Sequence, residues 1–250
     1  MLLSVVIITK NEERNIGRCL DSAKPIADEI LVVDSFSSDK TREICLDKGV
    51  RFIEHQWEGY SATKNYANAL ATYDWILSLD ADEALSEELS RSVLELKKAE
   101  QPSVAKFNRL TSYCGQWIRH CGWYPDTKIR IFNRSSANWT GFIHETLQFT
   151  DRLPVLHLKG DCLHYSYYTR QQHLRQAENF TDMAAKELYR LRKKASMVRM
   201  LLSPLAKFIQ SYFLQLGFLD AVAGFNVCRI SAWASYLKYK KLRSLWKNPA

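Results

Sequence analysis

Three short apolar runs constrain this chain more than any other feature. Residues 3–8 (LSVVII), 29–33 (EILVV) and 75–79 (WILSL) are rich in β-branched and aliphatic side chains and lack the alternation of a half-exposed strand. That pattern fits strands buried on both faces of a parallel sheet. Helical spacing follows the first run, with Ile16, Cys19 and Leu20 on one side. Asn11 is placed to cap that helix, and Glu12 and Glu13 suit the positive end of its dipole. The unit then repeats as a turn at 34–39, a helix at 40–48 stopped by Gly49, a strand at 50–54 and a helix at 60–71. Alternation of this kind winds an α/β sheet flanked by helices. Ligands of such sheets bind outside the carboxyl ends of the strands, where residues 9–13, 34–38 and 80–83 all fall.

A helix at 86–98 closes the first half, residues 1–100. From 101 to 168 the pattern changes to shorter strands near 104–113, 128–133, 145–150 and 155–164, between loops containing Trp and Gly. This half is expected to supply the site of a second substrate. Residues 169–250 read as a helical extension: a polar helix over 170–194, then a new start with Ser203 as cap and Pro204 in the first turn. Leu201, Leu205, Phe208, Ile209, Tyr212, Phe213 and Leu216 make an apolar stripe there. The longest charge-free stretch, 208–219, is too short to span a bilayer, so residues 197–250 are expected to lie on a membrane surface rather than cross it.

Composition excludes several classes. With 46% hydrophobic positions and only 9 Gly and 6 Pro among 250 residues, the chain is neither disordered nor collagen-like. Its net charge of +8 is unevenly spread, since residues 186–250 hold 13 Lys or Arg against only Glu187 and Asp220. A uniformly basic chain would suggest nucleic acid. A mildly acidic body with a basic, aromatic tail points instead to a membrane surface or to a partner for the tail, a homo-oligomer included, and not to nucleic acid. A solvated basic helix face is the plainer reading of the same residues. The six cysteines lack the two-residue spacing of a zinc or redox motif and fit thiols in a reducing cytosol. The apolar start ends at Lys10, too early for an export signal, so a cytoplasmic location is expected.

Asp80 and Asp82 stand two apart at the end of a strand, where period-two geometry turns both carboxylates the same way. Such a DxD pair invites Mg²⁺ or Mn²⁺, which binds through one or two carboxylates plus substrate phosphates. Asp34 follows Val32 and Val33 and is suited either to a base or ribose or to capping its own turn. The loop TKNEER, residues 9–14, contains no glycine, which argues against a dinucleotide fold or a P-loop. His164, in LHYSYY, is either a ligand to metal or phosphate or a satisfied structural histidine. Trp123, Tyr124 and Trp139 either stack on sugars or pack in the core, and Arg130 either meets a phosphate or forms a surface ion pair.

Together SVVIITKNEERNI, ILVVDSFSSDKT, KNYANALATYDWILSLDADE, GWYPDTKIRIFNR and WTGFIHE resemble glycosyltransferase family 2. Within that family they are most similar to the bacterial lipopolysaccharide-core β-glucosyltransferases. The resemblance runs from residue 3 to about 168 in consistent order. It implies a GT-A fold over 1–168, a UDP-sugar donor, a divalent cation, a glycan or glycolipid acceptor and inversion at the anomeric carbon. Carried over, Thr9 and Glu12 would border the nucleotide, Asp34 would meet the uracil, and Lys64 would approach the base or diphosphate. Asp80 would touch ribose or metal and Asp82 would hold the metal. Glu145, in Ile143-His144-Glu145, matches the general base, with Asp126 in reserve; a solvent-facing strand residue is the other reading of Glu145. The expected protein is a peripheral enzyme on the cytoplasmic face of the inner membrane. Its rivals are a nucleotidyltransferase of similar fold, against which TKNEER counts, and a non-catalytic membrane-binding scaffold.

Overall fold

The computed structural model describes residues 1–141, 145–150 and 154–247. The chain forms two compact units, Met1–Arg109 with Asp126–Tyr165 and Leu110–Pro125 with Ser166–Ala250. Residues 110–125 therefore group with the helical unit.

In the first unit, β1 (Leu3–Thr9), β2 (Glu29–Asp34), β3 (Arg51–Glu54) and β4 (Trp75–Asp80) run parallel in the order β3-β2-β1-β4. All of β1 is buried, as its unalternating pattern requires. Leu3, Val5 and Ile7 enter one core cluster with Ile16, Cys19 and Leu20, whereas Val6 and Ile8 enter another with Ala67. Helices α1 (Ile16–Ala23), α2 (Thr41–Asp47), α3 (Tyr60–Leu70) and α4 (Glu87–Lys98) flank these strands in sequence. The shorter strands of the second half are β5 (Glu83–Leu85), β6 (Val104–Tyr113), β7 (Gln116–Ile118), β8 (Asp126–Asn133), β9 (Ala137–Thr140), β10 (Thr146–Phe149) and β11 (Val155–Tyr167). Beyond β4 the sheet continues β8-β6-β11-β5, and the β4–β8, β6–β8 and β5–β11 pairings are antiparallel. Strands β9 and β10 form a separate antiparallel ribbon.

Helix α1 does not start where Asn11 suggested. The amides of Asn11, Glu12 and Glu13 bond to Ser37 Oγ (2.7 Å), Thr41 Oγ1 (2.8 Å) and Asp39 Oδ2 (3.0 Å). With its first amides held by another loop, the chain turns through a positive φ of 55° at Asn11, and Asn15 takes the capping position. The acidic pair is therefore outside the first helical turn.

The second unit contains α5 (Arg170–Arg190), α6 (Met197–Ile209) and α7 (Ala221–Lys247), with a π-helical turn at Gln210–Leu214 and a 3₁₀ turn at Gly217–Asp220. Helix α5 opens on a capping box formed by Thr169 and Gln172 and ends at Arg190, short of the expected Lys194. Helix α6 begins before Ser203: Ser196 is its cap, accepting from the Arg199 amide at 3.1 Å, and Pro204 lies inside the helix. The turn into α7 depends on small residues, because a Cβ on Gly224 would collide with the Gly217 carbonyl. Asp220, 5% exposed, accepts from the His120 amide at 2.8 Å and fixes the loop at 119–121. All six cysteines are free thiols.

The predicted apolar stripe divides in two. Phe208 and Tyr212 turn inward against the cluster of Tyr113, Ile118 and Val227. Leu201, Leu205, Ile209, Phe213 and Leu216 stay exposed, joined by Val198, Leu214 and Val222. Among the described residues no single helix is long and apolar enough to cross a membrane; Met197–Leu214 and Gly217–Lys247, bent by 76°, meet the length and composition only as a pair.

Candidate active site

Parallel register sets the three polar loops side by side, with Thr9 opposite Asp34 and Ile8 opposite Asp80. Asp34 is fully buried and serves its own turn, accepting from the Ser37 amide (2.7 Å) and the Ser37 hydroxyl. Thr9 Oγ1 and Ser35 Oγ next to it are buried and have no hydrogen-bond partner among the described residues. An unpaired buried hydroxyl costs about 1–3 kcal/mol, so this edge retains hydrogen-bonding capacity that folding does not use.

Beside it a chain of alternating charges runs through the unit. Lys64 Nζ, on α3 and 2% exposed, lies 3.0 Å from Asp80 Oδ1 and 3.2 Å from Glu145 Oε1. Arg130, on β8, joins Asp80 Oδ2 (3.0 Å) to Glu83 Oε1 (2.9 Å). Arg109 continues from Glu83 (3.5 Å) to Asp126 (2.7 Å), whose other oxygen accepts from Lys128 at 2.9 Å. Burial pushes the Asp80 carboxyl up, but Lys64 and Arg130 more than offset it and hold it well below the usual carboxylate range. Asp126 is likewise raised by burial and lowered further by Arg109 and Lys128, for a net downward shift.

Asp82 lies past the end of β4, in the turn before β5, so the period of the strand does not orient it with Asp80. Its position comes from β11. Pairing of β11 with β5 puts His164 opposite Glu83, the Tyr165 amide donates to the Asp82 carbonyl at 2.8 Å, and His164 Nε2 sits 3.1 Å from Asp82 Oδ2. Glu12 belongs to the same neighbourhood: burial raises its pKa, the Asn15 amide side chain opposes this, and the charge of Asp82 adds to the rise. Among the described residues no three His, Cys, Asp or Glu side chains converge into a metal site by themselves.

Lys64, Asp80 and Glu145 are thus brought into contact, and Asp82 with His164 likewise. Among the described residues, Asp126 connects to them through Arg109, Glu83 and Arg130. Ile143 and His144 lie outside the described residues. Arg130 forms a buried pair and not a surface one, at 5% exposure. Trp139 is core: it is buried, meets Phe132 edge-on, and lies under Lys64 at 4.8 Å. Trp123 and Tyr124 belong to the helical unit, Trp123 packed on Tyr113 and Tyr167 and Tyr124 under Arg119. Sequence reasoning missed Glu83 and Arg109 as partners. The available signal was Arg130 in an apolar strand, since a buried guanidinium requires a carboxylate and the acidic run at 80–83 offers one.

Polar loops at the ends of parallel strands, with a carboxylate held beside them, make this edge the candidate active site. The glycosyl transferase family 2 model matches residues 4–159, and the chain belongs to this family. Relatives agree over the full length. A glycosyltransferase of Rickettsia bellii is 32% identical over 99% of this chain and 89% of that protein. The lipopolysaccharide core biosynthesis glycosyltransferase LpsC of Rhizobium meliloti is 24% identical over 95% of this chain and 93% of its own. Among solved structures, residues 1–349 of S. aureus TarS align over 99% of this chain and 91% of that one, at 13% identity and a TM-score of 0.47. The protein is a glycosyltransferase, and its mixed sheet with helical extension is of the GT-A type expected from the sequence.

Proposed function

We propose that the chain transfers a hexose from a UDP-sugar to a lipid-linked glycan of the lipopolysaccharide-core kind, by single displacement with inversion, while resting on the cytoplasmic face of the inner membrane. One observation carries the catalytic part: Lys64 ties Glu145 to Asp80, so a partly exposed carboxylate is fixed beside the edge suited to the donor. Lys64 engages Oε1, and among the described residues Oε2 has no hydrogen-bond partner. Glu145 takes the proton of the acceptor hydroxyl as that oxygen bonds to the anomeric carbon, and the bond from this carbon to the diphosphate breaks with its electrons leaving on UDP. Asp126, with both oxygens held by cations, suits the role less.

Thr9 and Ser35 offer their unpaired hydroxyls to the nucleotide, with Glu12 and Asp34 bordering it. Asp82 and His164 fit a divalent cation better than Asp80, whose oxygens are already taken by Lys64 and Arg130. Such a cation neutralises charge on a diphosphate leaving group. The acceptor class rests on the likeness to LpsC. Membrane attachment rests on the exposed Leu201, Leu205, Leu214 and Val222, together with the basic excess of residues 186–250.

A panel of UDP-sugars tested by calorimetry and thermal shift, with Mn²⁺ and with EDTA, examines the donor side. One UDP-sugar is expected to bind only with the cation and to stabilise by about 2.7 kcal/mol at 100 times its Kd. An α-linked donor is expected to give a β-linked product. Binding unchanged in EDTA would overturn the cation assignment, and an α-linked product the single displacement.

A further inference from the structure

The helical unit contains a cavity that sugar transfer does not explain. It has a volume of about 520 Å³, within the range of small-molecule sites, and opens where α5, α6 and α7 line it together. Its wall is largely apolar and aromatic, with Trp123, Tyr167 and Ala234 among the lining residues. Lys207 and Lys238 also line it, both half-buried, and the lining contains no Asp or Glu. His173 completes the set: it lines the cavity, is 6% exposed, and its Nδ1 has no hydrogen-bond partner among the described residues. Burial lowers its pKa to about 4, so the ring is neutral at pH 7 and offers a hydrogen bond rather than a charge.

An apolar space, two cations without an opposing acid and an unmet polar atom match an amphiphile with a chain and an anionic head. We infer that this cavity binds one acyl chain of an anionic phospholipid, with Lys207 and Lys238 on its phosphate and a head-group or ester atom meeting His173 Nδ1. The choice of a membrane lipid follows from the same unit. Exposed apolar side chains of α6 include Leu201, Leu205 and Ile209, on either side of the cavity-lining Lys207, so the element that lines the cavity also presents an apolar outer face. The bound lipid would act as a specific anchor, where the apolar face alone adheres to any bilayer. The inference needs no glycosyl transfer, so it can fail or stand independently of the proposed reaction.

The test uses the full-length protein and lauroyl lysophosphatidic acid below its micelle-forming concentration, followed by tryptophan fluorescence and thermal shift. Lauroyl lysophosphatidylcholine, dodecanol, farnesyl phosphate and inorganic phosphate serve as comparators. Saturable binding of the lysophosphatidic acid is expected, at least about tenfold tighter than any comparator. Ala234→Trp, which fills the cavity, is expected to weaken it about tenfold or more while circular dichroism and UDP titration stay unchanged. Should that variant fail to fold, Ser231→Phe fills the same space. Lys207→Gln with Lys238→Gln is expected to bring the affinity down to that of the phosphocholine lipid. Equal affinity for dodecanol, saturation by inorganic phosphate, tighter binding of farnesyl phosphate, or undiminished binding by a folded cavity-filled variant each overturns the proposal.

Discussion

The two units depart from the ordinary arrangement of a soluble protein in opposite directions. The first buries charge: Lys64 on α3, Glu83 on β5 and Arg130 on β8 are 2%, 1% and 5% exposed. The second exposes hydrocarbon, with Leu214 and Val222 about three-quarters accessible at 76% and 74%. Burying ions opposes folding because they lose hydration, whereas hydrocarbon left exposed forgoes the stabilisation that its burial would give. What each one gives in return differs. Alternating cations and anions hold Asp80 and Glu145 in fixed positions, a rigidity that chemistry requires. Exposed leucines fix nothing within the molecule and acquire value only against another surface.

This contrast can be broken most severely at Glu83, which receives Arg130, Arg109 and the Asp80 amide. Glu83→Ala leaves the buried Arg130 and the half-buried Arg109 without their shared carboxylate and is expected to cost about 3–5 kcal/mol in denaturant unfolding. A loss within the experimental error of wild type would show that the charge chain is incidental to the fold. The next largest effect belongs to the helical unit and depends on pH. His173 has a folded pKa lowered to about 4 by burial, below the ordinary histidine value near 6.5. Above about pH 6.5 neither state is protonated and nothing changes; below it the unfolded chain gains a proton that the folded one refuses until about pH 4. Stability should therefore fall with acidification across this window by up to about 1.4 kcal/mol per pH unit, and His173→Phe should remove that slope. The smallest effect on folding sharpens the contrast best. Leu214→Glu with Val222→Glu should change stability by less than about 0.5 kcal/mol each, yet abolish sedimentation with anionic vesicles. Unchanged vesicle binding would disconnect the exposed face from membranes.

Legibility in the sequence followed the range of the forces involved. Strands β1, β2 and β4 and the acidic ends that gather at one edge were readable, because an unalternating apolar run has few other ways to be buried. The start of α1 was not, since the amides of Asn11, Glu12 and Glu13, where the helix was expected to open, are claimed by Ser37, Thr41 and Asp39, up to 29 residues away. The start of α6 was misplaced for a local reason: Ser203-Pro204 imitates a helix entrance, while Ser196 makes the actual cap. At the site, the residues carried over from the family included Lys64, Asp80 and Glu145, which meet in space, but not the reason they meet. That reason lies in pairings of high separation, such as Arg130 with Glu83 across 47 residues, which no local pattern encodes. Asp82 illustrates the same limit, placed by strand β11 and not by the periodicity of β4.

The central claim is that Glu145 acts on the acceptor while the opposite side of Lys64 serves the donor. Glu145→Gln preserves size and removes the base, so sugar transfer and UDP-sugar affinity measured on the same variant test it directly. Transfer is expected to fall by about 10²- to 10⁴-fold, with affinity for the UDP-sugar staying within about threefold of wild type. Near-normal turnover by Glu145→Gln, accompanied by loss of turnover in Asp126→Asn, would contradict the assignment and move the base to the far end of the charge chain.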